Sequence, residues 1–483
     1  MSVSTRHEAS VTRSENPLET DLTRPEQEAP GSVFALPGSP VANFAEAVAW
    51  LWRLGPVVDK PHPDAVGLGW LGDSAEMEAL VRAGKLAGAA VFATRPGPFD
   101  GALPSRARVN GVASFGPGQR VAGQFYVLNG ANGGTPVVQS SLGVHAVREQ
   151  RWMVFGADPD TSWGSLDGFW VLPALADFLT DVLDRPLVML PPLGWVRYDD
   201  VPGTAYHQLS GSDKPDAKVR RRVEKAARLF QRNNSKLNIA LASRAFVDGD
   251  EVALDEVWPE AVAAIGRGIE EEAIEPVCHG YLHLNTDSWA AGEISPREFE
   301  NVTRAEAGRR LDVAAGWFEQ ALGVTPQTFV APTWAYSTGL ISALAERHLP
   351  AWLPPAPAPL VASSNGRETI NSSMEGLYRL DYGPFGAMAG AGLPPSIILH
   401  GGLFDPRPDM LRKVREAPST LRLVLRRDLF RFPWVPGVRW VGARELLNRF
   451  EGHGQIEVQG DQISNPAGFD VVVRDRVGRR LTS

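Results

Sequence analysis

Residues 187–200 read LVMLPPLGWVRYDD, an apolar strand pattern that ends in two adjacent carboxylates. Short apolar runs then alternate with amphipathic stretches for roughly 260 residues, the usual size of an α/β barrel. The predicted elements of this region after residue 200 are a helix at 214–232, a strand at 237–243, a helix at 256–271, a strand at 274–278, a helix at 295–322, and strands at 328–330 and 396–399. We therefore predict an α/β protein whose larger domain, residues 188–452, is an α/β barrel.

The chain outside this region has three further parts. Residues 1–40 are polar and charged and contain proline, which predicts a disordered tail. Residues 41–187 alternate strand and helix patterns and predict a smaller α/β accessory domain. Residues 453–483 alternate like a small β appendage.

Composition excludes several classes of protein. Of the 483 residues, 43% are hydrophobic and 22% are charged, so the chain is globular and not disordered throughout. The net charge of −8 gives no general attraction to phosphate backbones, so we expect no nucleic-acid partner. No run of 18 apolar residues and no secretory signal is visible, and the single cysteine, Cys278, allows no intrachain disulfide. These features predict a protein of the cytoplasm with no membrane span.

Asp199 and Asp200 follow the strand pattern directly. Two adjacent carboxylates are electrostatically costly unless a cation compensates them, and a divalent metal would do so. One Asp could bind the metal while its neighbour acts as a base. The alternative is a pair that caps a helix or turns a loop, helped by Pro202 and Gly203.

His279-Gly-Tyr-Leu-His283 follows the strand at 274–278. Two imidazoles four residues apart can bind one ion together, and the preceding residues and the glycine favour a strand-to-turn junction. The alternative is two unrelated loop histidines. Cys278 is expected to point to the opposite face of its strand as a buried core residue.

His400 follows the strand at 396–399 and precedes two glycines. It is well placed to reach into a cleft and serve as a general acid, although a hydrogen-bonded loop histidine is the alternative. Further along the chain from the histidine pair, Ser295-Pro296-Arg297-Glu298 has the form of a capping box that opens a helix, and Gly323 is placed to end that helix.

Taken in order, these motifs resemble the NodB-homology polysaccharide deacetylases of carbohydrate esterase family 4. The resemblance covers roughly residues 188–450 and implies that the barrel of this region is a distorted (β/α) barrel. It matches the first motif of that family at Tyr198-Asp199-Asp200, the second at His279 and His283, the third loosely at Phe329-Val330-Ala331-Pro332-Thr333-Trp334, and the last at Ile397-Ile398-Leu399-His400.

The resemblance implies a metal-dependent hydrolase that removes an acyl group from an amino sugar, with metal-bound water as nucleophile. It assigns Asp199 as general base and His400 as general acid. It assigns Asp200, His279 and His283 as ligands of one divalent ion, most simply zinc, with cobalt, manganese or nickel also compatible. The residues that could line a sugar-sized cleft are Tyr281, Pro332, Trp334 and Tyr336, although core packing is an equal alternative for the aromatic ones.

The chain also departs from the family pattern. The third motif of the family carries an arginine that steadies the base, and Val330 occupies that place. The fourth motif is not recognisable, with Asp381 only a guess for it. Two other functions therefore stay open: hydrolysis of a non-sugar amide or an ester, and carbohydrate binding on a degenerate barrel. The sequence does not give an oligomeric state.

The accessory domain has no comparable set of residues. Its segment FGADPDTSW…FWVLPALADFL faintly resembles flavodoxin-type, glutamine-amidotransferase-like domains. It contains no cysteine, so the nucleophile of such enzymes is absent, and the resemblance implies a structural or ligand-binding role.

Overall fold

The computed structural model describes residues 31–92, 109–115, 119–125, 128, 134–140, 143–157, 168–199, 201, 216–247, 250–284, 297–332, 336–353, 369–371, 390–394, 396–400, 438–459 and 462–482. Asp200, Trp334 and Asp381 lie outside these residues, and so do residues 1–30 of the predicted tail. For His400 the strand position is described and the side chain is not.

The first sheet occupies residues 33–155. Its strands are β1 (Val33–Phe34), β2 (Val57–Val58), β3 (Val66–Trp70), β4 (Gly88–Phe92), β5 (Val109–Phe115), β6 (Gln119–Phe125), β7 (Thr135–Ser140), β8 (Gly143–Glu149) and β9 (Trp152–Phe155). Their spatial order is β2-β1-β3-β4-β9-β8-β7-β5-β6. The half from β2 to β9 is parallel, and the half from β9 to β6 is antiparallel. The helices of this region are α1 (Ala42–Leu51), α2 (Ser74–Arg82) and α3 (Gly168–Val182).

Two features of this sheet differ from the sequence prediction. Strand β1 lies ahead of residue 41, inside the segment predicted as tail, because Val33 and Phe34 are buried and pair with both β2 and β3. The antiparallel half is an addition to the parallel sheet that a flavodoxin-like domain would have. The α/β class itself agrees with the prediction.

The second sheet carries the predicted site. Its strands are β11 (Leu193–Asp199), β12 (Leu237–Leu241), β15 (Ile274–Cys278), β16 (Phe329–Val330), β17 (Ala351–Leu353), β18 (Thr369–Asn371), β19 (Ser396–His400) and β20 (Arg439–Trp440). The order is β18-β17-β16-β15-β12-β11-β19, with β20 also paired to β11, and all of these pairings are parallel. A parallel sheet of this kind is the arrangement that the alternating pattern predicts.

Helices lie between and after these strands and pack on the sheet. They are α4 (Asp216–Arg232), α5 (Leu254–Val257), α6 (Pro259–Glu270), α7 (Arg304–Leu322), α8 (Thr338–Glu346) and α9 (Ala443–Gly454). Helix α4 buries a stripe three or four residues apart: Val219, Val223, Ala226, Ala227 and Phe230. Tyr198 and Cys278 share a core cluster with this stripe, whereas Trp195 and Val277 belong to a second cluster with α9. Alternate residues of each strand thus face opposite sides.

Two hairpins and a small sheet complete the chain. Strands β13 (Arg244–Val247) and β14 (Asp250–Ala253) form a hairpin beside the second sheet, and β21 (Glu457–Gln459) pairs with β22 (Gln462–Ser464). Strands β23 (Val471–Asp475) and β24 (Gly478–Thr482) pair with each other, and β23 pairs antiparallel with β10 (Leu187–Met189). The predicted β appendage therefore returns to the strand that precedes the barrel.

Helices α1 and α9 contact each other. The rings of Trp50 and Phe450 stack with centroids 5.5 Å apart, and His453 Nε2 lies 3.0 Å from the carbonyl oxygen of Leu51. His453 is fully buried, and burial lowers its pKa to about 3, with the charge of Arg53 acting in the same direction. Among the described residues, no helix is both long and apolar enough to cross a membrane.

Candidate metal and catalytic site

Strand ends place three of the predicted site residues at one edge of the second sheet. Asp199 is the last residue of β11, His279 directly follows β15, and His400 is the last residue of β19. Asp199 and His400 are register partners on neighbouring strands, and β12 lies between β11 and β15. Because all these strands are parallel, their carboxyl ends meet at the same edge, where ligands bind in α/β folds.

Asp199 is buried beside a guanidinium that the sequence analysis did not single out. Arg197 Nη2 donates to Asp199 Oδ2 at 2.7 Å, and Arg197 Nε donates to Asp199 Oδ1. The Arg197 guanidinium carbon also lies 5.1 Å from the centre of the Trp195 ring. The signal for this pair was present in the sequence, since residues two apart on a strand share a face. Two opposite charges on one face of an apolar strand are expected to pair.

The two predicted histidine ligands lie together. The ring centroids of His279 and His283 are 4.9 Å apart with an interplanar angle of 71°, and each residue is 3% exposed. His279 Nδ1 lies 3.1 Å from the carbonyl oxygen of Val330. Because a carbonyl only accepts hydrogen bonds, this contact places the ring proton on Nδ1 and the lone pair on Nε2. A backbone contact of this kind is how metal-binding histidines are usually oriented.

The segment between the two histidines is a tight turn, as the strand-to-turn interpretation predicts. Gly280 has φ +91° and His283 has φ +62°, so both lie in the left-handed region. A Cβ atom at Gly280 would be 2.5 Å from Glu298 Oε2. Glycine is therefore required at position 280 for both its backbone angle and the closeness of this carboxylate.

Glu298 holds the turn from the other side. Its side chain is fully buried and accepts three backbone N–H bonds, from Tyr281 at 2.9 Å, Leu282 at 3.2 Å and His283 at 2.7 Å. Burial raises the pKa of Glu298, whereas the N–H of Tyr281 and the charge of Arg310 act to lower it. The carboxylate thus accepts hydrogen bonds from three backbone N–H groups that the turn would otherwise bury without an acceptor.

This position corrects the prediction of a capping box. Helix α7 begins at Arg304, where the Thr303 hydroxyl accepts from the N–H of Glu306 at 3.2 Å. Glu298 therefore precedes the helix by several residues and contacts the histidine turn instead of a helix end. The prediction for the other end is confirmed, because Gly323 ends α7 with φ +69°.

The predicted substrate-contact residues lie in different surroundings. Tyr281 is 8% exposed, its hydroxyl donates to Glu251, and the guanidinium carbons of Arg244 and Arg309 lie 5.7 Å and 5.8 Å from its ring centre. Burial and the Glu251 contact raise the pKa of Tyr281 to about 12. Pro332 is buried above Gly280, and Tyr336 is 40% exposed. Contact of these residues with a substrate stays a prediction.

Cys278 lies behind the site. Its side chain belongs to the core cluster that contains the buried stripe of α4, and burial raises its pKa to about 12. The expectation of an inert core cysteine agrees with this position, since a buried thiol with a high pKa is a poor nucleophile.

The donor set supplies part of what a divalent cation needs. The two imidazoles are the nitrogen ligands that zinc, cobalt and nickel accept. Within the described ranges, which omit Asp200, no group of three His, Cys, Asp or Glu side chains surrounds one point. The histidine pair fits a metal, and the predicted third ligand lies outside the described residues.

Comparisons with known proteins give structural matches alone. No family model and no curated protein matches the chain. It is structurally similar to carbohydrate esterase family 4, the NodB-type polysaccharide deacetylases, over about half its length and at low sequence identity.

Three of these structures illustrate the range of proteins matched. An acetyl xylan esterase from Clostridium thermocellum in complex with a cobalt ion is 14% identical (TM-score 0.29, 53% of this chain, 90% of that chain). A family 4 esterase from Streptomyces lividans in complex with acetate is 12% identical (TM-score 0.27, 52% and 91%). A family 4 pseudoenzyme from Bacillus anthracis is 10% identical (TM-score 0.28, 56% and 71%). At these scores the matches carry no conclusion about the reaction.

Proposed function

We propose that this protein is a metal-dependent hydrolase that removes an N-acyl group, most simply acetyl, from an amino sugar or glycoconjugate. The observation that carries the proposal is the pair of imidazoles with centroids 4.9 Å apart at the sheet edge where Asp199 ends its strand. Two nitrogen ligands and a buried carboxylate at one sheet edge are parts that metal-assisted hydrolysis of an amide uses. The sugar comes from the motif resemblance.

His279, His283 and Asp200 would hold one divalent ion, with zinc the simplest choice. When bound, such an ion lowers the pKa of a water molecule and polarises the carbonyl of an amide. The Nδ1 contact of His279 with Val330 orients its ring, and Glu298 fixes the backbone from which His283 projects.

Asp199 and His400 would move the protons. Asp199 takes a proton from the attacking water through the second lone pair of a carboxylate oxygen that Arg197 also contacts. His400, at the register position beside Asp199, would protonate the leaving amine. Adjacent strands are about 4.8 Å apart, so these two register partners lie at one place on the sheet edge.

The test combines metal content with turnover. We expect about one divalent ion per full-length chain and release of acetate from N-acetylated amino sugars. His279→Ala should lose both, whereas His62→Ala, the same change at a partly exposed histidine of the first region, should lose neither. Equal turnover after exhaustive chelation would overturn the proposal. Preferred turnover of a non-sugar amide or an aryl ester in the same panel would change the substrate class.

We also propose a cytoplasmic location, which is compatible with the one cysteine of the chain, Cys278, being a free thiol. Cell fractionation tests this separately from the chemistry. Recovery of the protein outside the cytoplasm would redirect the substrate search toward wall polymers.

A further inference from the structure

The Arg197–Asp199 pair is closed off from solvent. The side chains are 0% and 6% exposed, and the guanidinium engages both carboxylate oxygens in a two-pronged contact. Such paired bonds fix the orientation of a carboxylate as well as its position. Removing two charges from water costs several kcal/mol per ion, which only close pairing offsets.

The position of the third-motif arginine is apolar and buried in this chain. Val330, at the place where the resembled family carries an arginine, is 1% exposed and belongs to the same apolar cluster as Trp195. The Trp195 ring lies 5.1 Å from the Arg197 guanidinium carbon. The sheet therefore has an apolar side chain at the third-motif position and a cation on β11, two residues before the carboxylate.

The contact with Arg197 affects which chemical role Asp199 can take. The guanidinium bound to both oxygens of Asp199 already compensates the carboxylate charge, and its own positive charge would repel a divalent cation brought to the same oxygens. Each oxygen still has a lone pair that can accept a proton from water. The contact thus disfavours Asp199 as a ligand and leaves it competent as a base.

We propose that Arg197 is the positioning residue for Asp199, in place of the arginine that the third motif lacks, and that this contact keeps Asp199 available for proton transfer. This inference rests on the proposed hydrolase function. Arg197 acts through Asp199 and contacts no reacting atom.

The test uses four variants of the full chain: Arg197→Met, Arg197→Lys, Asp199→Asn and the double variant Arg197→Met/Asp199→Asn. We expect Arg197→Met to lower kcat about 10²-fold, the usual effect of a misplaced catalytic group, with KM nearly unchanged. Lysine should restore part of the loss. The double variant should be no slower than Asp199→Asn, because Arg197 has nothing left to position.

Metal titration gives a readout that does not need turnover. Arg197→Met and Asp199→Asn should each keep one ion per chain, and Asp200→Asn should lose it. The double variant contains no uncompensated buried charge, so its metal content can be measured even where Arg197→Met alone does not fold.

The possible failures are distinguishable. If the double variant is slower than Asp199→Asn by the whole loss of kcat that Arg197→Met alone causes, Arg197 acts on something other than Asp199. If Asp199→Asn loses the metal ion, Asp199 is a ligand. Either result overturns this inference and leaves the hydrolase proposal standing. A wild-type protein that binds metal without turning over any acylated substrate would overturn the hydrolase proposal, while the metal titration still decides the role of Asp199. A wild-type protein without metal would overturn both.

Discussion

Replacing Glu298 by glutamine tests whether a buried carboxylate holds the histidine turn. The change keeps the shape of the side chain and one oxygen, and it converts the other oxygen to an amide that can only donate. With the remaining oxygen at the Oε2 position, the bonds from Leu282 and His283 survive, and the N–H of Tyr281 faces a second donor.

The expected loss follows from those contacts. One hydrogen bond to a charged acceptor contributes about 1.5–3 kcal/mol, and leaving a buried N–H without an acceptor costs about 1–3 kcal/mol. These two costs overlap, so we expect the free energy of unfolding to fall by about 3 kcal/mol. His283 depends on the same carboxylate for its left-handed backbone, so metal affinity should fall about 10–100-fold, as for other residues that support a ligand.

Urea unfolding of the metal-free protein gives the first quantity and metal titration gives the second. Glu300→Gln is the matched control, because Glu300 makes a solvent-exposed pair with Arg297 that should contribute less than about 1 kcal/mol. A Glu298→Gln protein with wild-type stability and metal affinity would refute the reasoning. It would mean that burial keeps the carboxyl protonated, so that glutamine reproduces it.

Three further predictions concern buried groups. Burial lowers the pKa of His453 to about 3 in the folded protein, against about 6.5 for an exposed histidine, so the stability that depends on its neutral ring is complete above about pH 6.5 and is lost as the pH falls. Between pH 6.5 and 5 the wild type should lose about 2 kcal/mol more than His453→Gln in urea titrations, and equal losses would show that His453 is protonated in the folded protein. Gly280→Ala should lower the free energy of unfolding by about 2–4 kcal/mol and remove most of the metal affinity, because the new Cβ would clash with Glu298 and φ at this position is +91°. A stable variant that still binds one ion per chain would contradict this. Cys278 should resist iodoacetamide at pH 8 until the chain unfolds, since its pKa is about 12, and rapid labelling of the folded protein would place the thiol at the surface.

Local patterns were sufficient for the strands that end at the site. The prediction of a strand at 274–278 matches β15, and the buried residues of α4 follow the helical spacing of its sequence. Both succeed because the side chains that face a core repeat with the period of the element. Strand β1 was missed because two residues carry no periodic signal, and only their partners in the sheet define them.

Glu298 shows what local patterns cannot supply. Ser295-Pro296-Arg297-Glu298 satisfies the rules for a helix start, yet the helix begins at Arg304, behind a threonine that caps it. The carboxylate contacts residues 15 to 17 positions earlier in the chain. That contact depends on the path of the chain between them, and no spacing rule encodes it.

Arg197 was predictable in principle and shows how a motif should be compared. A buried carboxylate such as that of Asp199 needs a cation or other donors within hydrogen-bonding distance, and that cation can come from any strand. When aligned positions are compared, Val330 stands where the family has arginine, and the positive charge is counted as lost. When the surroundings of Asp199 are compared instead, the guanidinium of Arg197 on β11 supplies the charge, and Val330 lies in the apolar cluster with Trp195. The missing third-motif arginine is therefore no argument for a degenerate site in this chain, because the charge that would steady Asp199 is present.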